Sequence, residues 1–153
     1  MKRIVYLLLL VGLLSACGTG NVDASDENEN FKNGDNSETL ENEVIASLDE
    51  EGSLRYTYKI ENQSEKEIKL EFTSSQRYDY AVKTKEGEQV YLYSSVASFL
   101  AVMGEEKIKP GELLEYNINL NNINLPAGEY VLTVWMTPKE GKKYEVNTEF
   151  SIE

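Results

Sequence analysis

Cys17 is the only cysteine of the chain. Its thiol ends the run Leu14-Ser15-Ala16-Cys17, a setting for lipid transfer. Lys2 and Arg3 precede an apolar stretch from Ile4 to Leu14, the order of a secretory leader. Leu-Ser-Ala-Cys matches the lipobox of bacterial lipoproteins, in which the thiol takes a diacylglyceryl group and a peptidase cuts just before it. The small Ser15 and Ala16 suit that peptidase. The apolar stretch falls short of the roughly 20 residues that span a bilayer, so a cleaved signal over 1–16 is expected instead of a membrane helix. Each buried CH2 contributes about 0.8 kcal/mol, so two acyl chains on Cys17 would anchor the chain durably. The expected place is extracytoplasmic, on the outer face of the bacterial cell membrane. One cysteine in this setting leaves none for disulfides, Cys-rich zinc sites or thiol catalysis.

The other chemistry-bearing types narrow the choice further. Histidine is absent, which excludes Ser-His-Asp and Cys-His arrangements and His-ligated metals. No Gly-rich loop joins a strand to a helix, so phosphate and dinucleotide sites are not expected. Acids are plentiful, with 27 Asp and Glu against 15 Lys and Arg. A pair of catalytic carboxylates, however, needs one member with its pKa raised in a pocket. Nearly all these acids fall at polar strand positions or in turns, so the chain reads as no enzyme and without cofactor. Asp26-Glu27-Asn28-Glu29-Asn30 has the alternate oxygens of a calcium loop, but Phe31 stands where the sharp turn needs Gly and Ser37 where a bidentate Glu is needed. No metal is expected. Loss of Lys2 and Arg3 with the leader makes the net charge of -12 two units more negative. Such a surface repels nucleic acid and would steer in a basic partner; plain solubilisation is the commoner use of such acidity.

From residue 17 to 42 the chain is rich in Asn, Asp, Glu, Ser and Gly, with Phe31 and Leu40 almost its only sizeable apolar side chains. So little apolar surface cannot offset ordering entropy, and a disordered acidic linker behind the lipidated Cys is expected. Residues 43–153 suit one domain with a single core. Alternation dominates it. Val44, Ala46 and Leu48 lead to a Glu50-Glu51-Gly52 turn; Leu54, Tyr56, Tyr58 and Ile60 follow, then Ile68, Leu70 and Phe72 after a polar loop from Asn62. Asp79 to Lys83 and Gln89 to Tyr93 flank a Lys85-Glu86-Gly87 turn. Ser94-Ser95 could cap a short helix with Val96, Phe99, Leu100 and Met103 on one face and Gly104 as its stop. Beyond a Pro110-Gly111 turn come Leu114 to Leu120, Tyr130 to Met136 and Tyr144 to Ile152. Eight short strands and one helical turn predict an all-β fold, an immunoglobulin-like antiparallel β-sandwich with one short helical turn.

Gln76, Tyr78, Asp79, Gly87, Val90, Ser94 and Phe99 occur in an order that resembles the intracellular proteinase inhibitor (BsuPI) family of Bacillus and its relatives. The likeness continues through Pro110-Gly111-Glu112 and Leu125-Pro126-Ala127-Gly128-Glu129-Tyr130, and covers roughly Glu43 to Glu153. Tyr93-Ser94 stands where the resemblance leads one to expect Trp-Ser, which implies different packing there. The resemblance implies the same sandwich, and a domain that could block a subtilisin-like serine protease.

A substrate-like inhibitor needs an extended, exposed loop held rigid, commonly by disulfides. Without them, rigidity must come from strand ends and packing, or inhibition must work by another geometry. The first candidate for the contact is the segment from Tyr93 to Gly104, with Phe99, Leu100 and Met103 to fill a specificity pocket, although a helix there would not fit a cleft built for extended chain. The second is the crossover from Asn121 to Pro126, with Ile123 and Leu125. Tyr56, Tyr58, Tyr116, Tyr130 and Tyr144 read as core or half-buried strand residues. Tyr78, Tyr91 and Tyr93 could face out. Trp135, out of phase with Leu132, Val134 and Met136, should face the other side of its strand, packed under the helical turn or exposed as an anchor. Gln76 and Asp79 either meet a partner or cap local backbone groups. Two functional readings follow: a cell-surface lipoprotein that inhibits or binds a serine protease, or a non-catalytic immunoglobulin-like envelope lipoprotein that binds another protein.

Overall fold

A computed structural model describes residues 44–153. The expected signal over 1–16, the lipidated Cys17, the linker over 17–42 with its Asp26–Asn30 motif, and Glu43 lie outside the described residues. The described chain forms nine strands: β1 (Val44–Gly52), β2 (Arg55–Asn62), β3 (Ile68–Phe72), β4 (Tyr78–Thr84), β5 (Gln89–Leu92), β6 (Gly104–Ile108), β7 (Leu113–Asn119), β8 (Gly128–Met136) and β9 (Lys143–Ile152). They pair antiparallel in the orders β1-β2-β7, β3-β6 and β5-β4-β8-β9. This is an all-β sandwich with immunoglobulin-like strand order.

The alternation seen in the sequence sets the register. Tyr56, Tyr58 and Ile60 turn inward from β2, and Val82, Leu132, Val134 and Met136 meet them from the four-stranded sheet, all buried. A one-residue slip would turn each of these rows to solvent, so the burial itself fixes the pairing. The two layers are also joined by a polar contact, because the hydroxyl of the fully buried Tyr58 donates to the carbonyl of Tyr144 at 2.5 Å. Tyr144 reaches that position through a left-handed backbone (φ 56°) beside a β-bulge, a conformation that L side chains adopt only at a cost.

Three expectations are corrected. The segment after β5 is not a helix: it makes one 3-10 turn, Tyr93–Ser95, and then runs without regular structure to β6. The predicted caps do not form, since Ser95 Oγ donates back to the Leu92 carbonyl at 2.6 Å. Of the four residues placed on the helix face, Phe99 is half-buried against the Tyr93 ring while Val96, Leu100 and Met103 stay exposed, so the four share no buried face. The second correction is β6, a ninth strand. Only Ile108 of its Gly-Glu-Glu-Lys-Ile sequence is buried, and the pairing with β3 is stitched by charge, Lys69 lying 2.5 Å from Glu105. The third is the first turn: β1 runs on to Gly52, and Leu54 sits in the turn itself with φ 57°.

Asn62 marks a corner. There the β2–β7 pairing gives way to the β3–β6 pairing, with residues 63–67 looping out on one side and 109–112 closing the other. Its side chain is fully buried and uses its whole hydrogen-bonding capacity. Nδ2 donates to the carbonyls of Lys66 and Ile108, both at 2.7 Å. Oδ1 accepts from the Ser64 N–H at 2.9 Å and the Ser64 hydroxyl at 2.7 Å. The Asn62 backbone pairs as well, donating to the Glu112 carbonyl and accepting from the Gly111 N–H. Gly111 adopts φ 74° to present that N–H, which is why the Pro110-Gly111 turn suits glycine there.

A row of aromatic rings fills one end of the sandwich. Tyr58, Tyr116, Tyr78, Tyr93, Tyr80 and Tyr91 follow one another at centroid separations of 4.9 to 6.3 Å along the closest path. Burial of Tyr58, Tyr78, Tyr80 and Tyr116 disfavours their phenolates. Burial first, then the neighbouring Glu106 carboxylate, push the Tyr116 phenol up to about 12. Tyr80 is raised by burial and then by a hydrogen bond with Tyr91, and Tyr78 by burial and then by Tyr93.

Replacing Asn62 by Ala should strand buried partners and cost about 2–4 kcal/mol. Asn62→Asp should be worse at neutral pH, because its oxygens would face two carbonyls; denaturant unfolding of the two variants checks the order. Tyr58, Tyr78, Tyr80 and Tyr116 give a pH dependence. Their pKa values are raised in the fold, so their contribution is complete below the ordinary tyrosine value of about 10 and declines above it, where the unfolded chain loses protons that the folded chain keeps. Expected is an unfolding midpoint that falls above about pH 10, less steeply in Tyr116→Phe. Free titration of these four phenols near pH 10 in the still-folded chain would contradict the buried row.

Candidate protein-contact loop

The segment from Val96 to Met103 is the most exposed apolar feature among the described residues. Val96 is 66%, Leu100 70%, Val102 52% and Met103 74% exposed. No charged residue occurs from Gln89 to Gly104, although the chain as a whole is 27% charged. An exposed stretch that is both apolar and uncharged on an acidic domain is the composition of a contact surface, not of a solvated connection.

Both ends of the loop are held. At its start, the buried Asp79 accepts from the Ser94 N–H at 3.0 Å and from the Tyr80 N–H at 2.9 Å through the same oxygen. The Tyr93 carbonyl then accepts from the N–H groups of Val96 and Ala97, and the Phe99 ring packs edge-on to Tyr93 at 5.7 Å. At its end, Gly104 pairs with Phe72. The Arg77 guanidinium lies so close over Gly104 that a Cβ there would meet Nη2 at 2.4 Å. Arg77 cannot easily yield, since its Nε donates to Glu106 at 2.7 Å and its Nη1 to the Ser74 carbonyl at 2.9 Å. In the middle, Leu100 is tied to Ser75: its N–H donates to Ser75 Oγ and its carbonyl accepts from the Ser75 N–H, both at 2.9 Å. The loop is exposed, turned at Ala101 where the Val102 N–H donates to the Leu100 carbonyl at 2.9 Å, and braced without a disulfide.

Beside the exit, Lys69, Glu71, Glu105, Lys107 and Lys139 form a surface network. Hydrogen bonds from Lys69 and then Lys107 hold the Glu105 carboxyl below its usual range, and Lys139 and then Lys69 do the same for Glu71. The groups are solvent-exposed, so their charges cancel locally and add little stability.

The residues singled out in the sequence divide clearly. Leu100 and Met103 are presented to solvent, whereas Tyr93 and Phe99 are half-buried and form the floor of the loop. Ile123 and Leu125 turn inward against the core. Their crossover leads to the Thr84–Tyr130 end of the four-stranded sheet, while the loop leaves the Tyr78–Met136 end, so the two candidate contacts are not brought together. Gln76 donates to the Tyr78 carbonyl at 3.2 Å, and together with Asp79 and Ser94 it anchors the loop base. Gly87 closes the β4–β5 hairpin with φ 95°, and the Tyr130 hydroxyl donates to the Pro126 carbonyl at 2.8 Å. Trp135 does face away from Leu132 and Met136, but it is buried, with Lys142 Nζ 3.4 Å from its ring centre. Sequence reasoning missed Val96 and Val102 as exposed flanks and Ser75 as the brace; the uncharged run was the available signal for the first two.

Among the described residues, no group of three or more His, Cys, Asp or Glu is placed to hold a metal ion. No curated protein matches the chain. Among solved structures, Bacteroides uniformis beta-glucuronidase 2, covalently bound to cyclophellitol-6-carboxylate aziridine, aligns with a TM-score of 0.35 and 10% identity. That alignment covers 72% of this chain and 13% of the enzyme, so the chain spans only a small part of that protein's length. The family model described as BsuPI, intracellular proteinase inhibitor, matches residues 40–141. That stretch takes in β1 to β8, the loop and every residue that braces it, and the chain belongs to the BsuPI intracellular proteinase inhibitor family.

Proposed function

We propose that this chain is a lipid-anchored, extracytoplasmic inhibitor of a subtilisin-like serine protease, which it meets with the loop from Val96 to Met103. The observation that carries the reading is the form of that loop. An exposed loop that is already tied at Leu100, Tyr93 and Gly104 loses little freedom on binding. Its exposed side chains are aliphatic or thioether, suited to a protease whose primary pocket takes large apolar groups and not to one that reads Arg or Lys. Membership of an inhibitor family supports a protease as the partner.

The anchor rests on the Leu14-Ser15-Ala16-Cys17 motif and its leader. With two acyl chains on Cys17, the domain would stand outside the membrane on an acidic tether, so the protease it meets is a secreted or surface enzyme.

Two experiments test these statements separately. The full chain, kept in detergent and titrated against a subtilisin-type protease, should abolish peptide hydrolysis saturably near one-to-one. A folded chain that leaves such proteases fully active would defeat the inhibitor reading and favour a binding module for another envelope protein. Cys17→Ser should remove the lipid mass from the mature chain and shift the chain out of the membrane fraction; unchanged membrane retention without lipid would refute the anchor.

A further inference from the structure

Substrate-like protease inhibitors lend the enzyme a backbone as well as a side chain. The specificity residue fills the primary pocket while its carbonyl oxygen turns into the oxyanion hole. Leu100 offers the first without the second. Its side chain is 70% exposed, yet its backbone is fully committed inside the domain. The N–H donates to Ser75 Oγ at 2.9 Å. The carbonyl accepts twice, from the N–H groups of Ser75 and Val102, each at 2.9 Å. A carbonyl oxygen has two lone pairs, and both are occupied.

Presenting this carbonyl to an oxyanion hole would break two hydrogen bonds at once and release the loop from Ser75. Met103 is as exposed as Leu100, but it stands at the exit beside Gly104 and is an unbranched, mobile side chain. Leu100 is the apex side chain whose backbone is fastened on both sides, so it is the one whose position is fixed before binding.

From this geometry we infer that Leu100 enters the primary specificity pocket of the protease as an apolar plug, while the Leu100–Ala101 peptide bond stays out of reach of the nucleophile. The chain then inhibits by occupying the pocket and is not processed at that bond. Ser75 is the positioning residue that keeps plug and peptide bond apart. The inference rests on the protease reading above and adds to it the contact residue, the pocket class and the fate of the bond.

The test uses the full chain in detergent with a subtilisin-type protease, and follows both inhibition constants and intact mass over long incubation with substoichiometric enzyme. Leu100→Gly should weaken inhibition about 30- to 100-fold, the loss expected for one buried leucine side chain. Met103→Gly should change it by less than about threefold, since a side chain outside the pocket gains little burial. The wild-type mass should stay intact. In Ser75→Pro, which removes both the Oγ that accepts from the Leu100 N–H and the N–H that donates to the Leu100 carbonyl, cleavage after Leu100 should appear while the unfolding midpoint stays near that of the wild type, a result that a merely structural role would not give. Equal inhibition by Leu100→Gly, or early cleavage of the wild type at Leu100–Ala101, would overturn the plug while leaving the inhibitor reading intact. A folded wild type that inhibits none of these proteases would overturn both.

Discussion

The geometry of this domain depends on the hydrogen bonds of one buried amide. Asn62 stands where the paired strands of one layer bend away into the β3–β6 ribbon, and it satisfies the carbonyls and the N–H that the bend would otherwise leave bare. An unpaired backbone group in such a place costs about as much as a lost hydrogen bond. The corner is therefore tolerable only because a side chain with two donors and a two-pair acceptor fits it. What the corner supports is the loop: β3 ends at Phe72, β6 begins at Gly104, and these two residues face each other as the last pair of the ribbon. The segment that carries Ser75 leaves from one strand and the segment that carries Leu100 arrives at the other. Fixing the ribbon brings brace and apex together.

The aromatic row performs the matching task at the other root of the loop. Tyr93 belongs both to the row and to the 3-10 turn, so the loop begins on a surface packed back to Tyr58 in the centre of the sandwich. Rings are suited to this, because they bury large area with few torsions to freeze. Several residues by which the chain resembles its family, among them Gln76, Asp79, Ser94 and Phe99, gather around this root.

Much of the architecture was legible from alternation, because a strand with one buried face writes its register into the sequence. Tyr56, Tyr58 and Ile60, or Leu132, Val134 and Met136, could hardly be read otherwise. The failures share a cause. β6 has one buried apolar residue, so period two was invisible, and its pairing with β3 relies on charges that any surface could carry. Val96, Phe99, Leu100 and Met103 have helical spacing, but the partner that decides the backbone at Leu100 is Ser75, 25 positions away. No local pattern reports a contact at that distance. Ile123 and Leu125 looked free because they sit in a polar crossover, although an apolar residue among asparagines is also how a loop plugs a core. Asn62 read as a loop residue for the same reason that makes it important: its polarity is spent inside.

Immunoglobulin-like sandwiches in extracellular settings often clamp their layers with a disulfide. The described domain has no cysteine, and its layers are crossed instead by hydrogen bonds such as those from the Tyr58 hydroxyl to the Tyr144 carbonyl and from the Tyr78 hydroxyl to the Asn117 carbonyl. Thiol-disulfide potential has no purchase on such a clamp. A sandwich built in this way is compartment-neutral: it can fold among reduced glutathione and stand equally well in an oxidising exterior. That removes a physical barrier between a family described as intracellular and the extracytoplasmic place proposed for this chain, since an export signal added ahead of β1 would relocate the domain without requiring its core to be rebuilt.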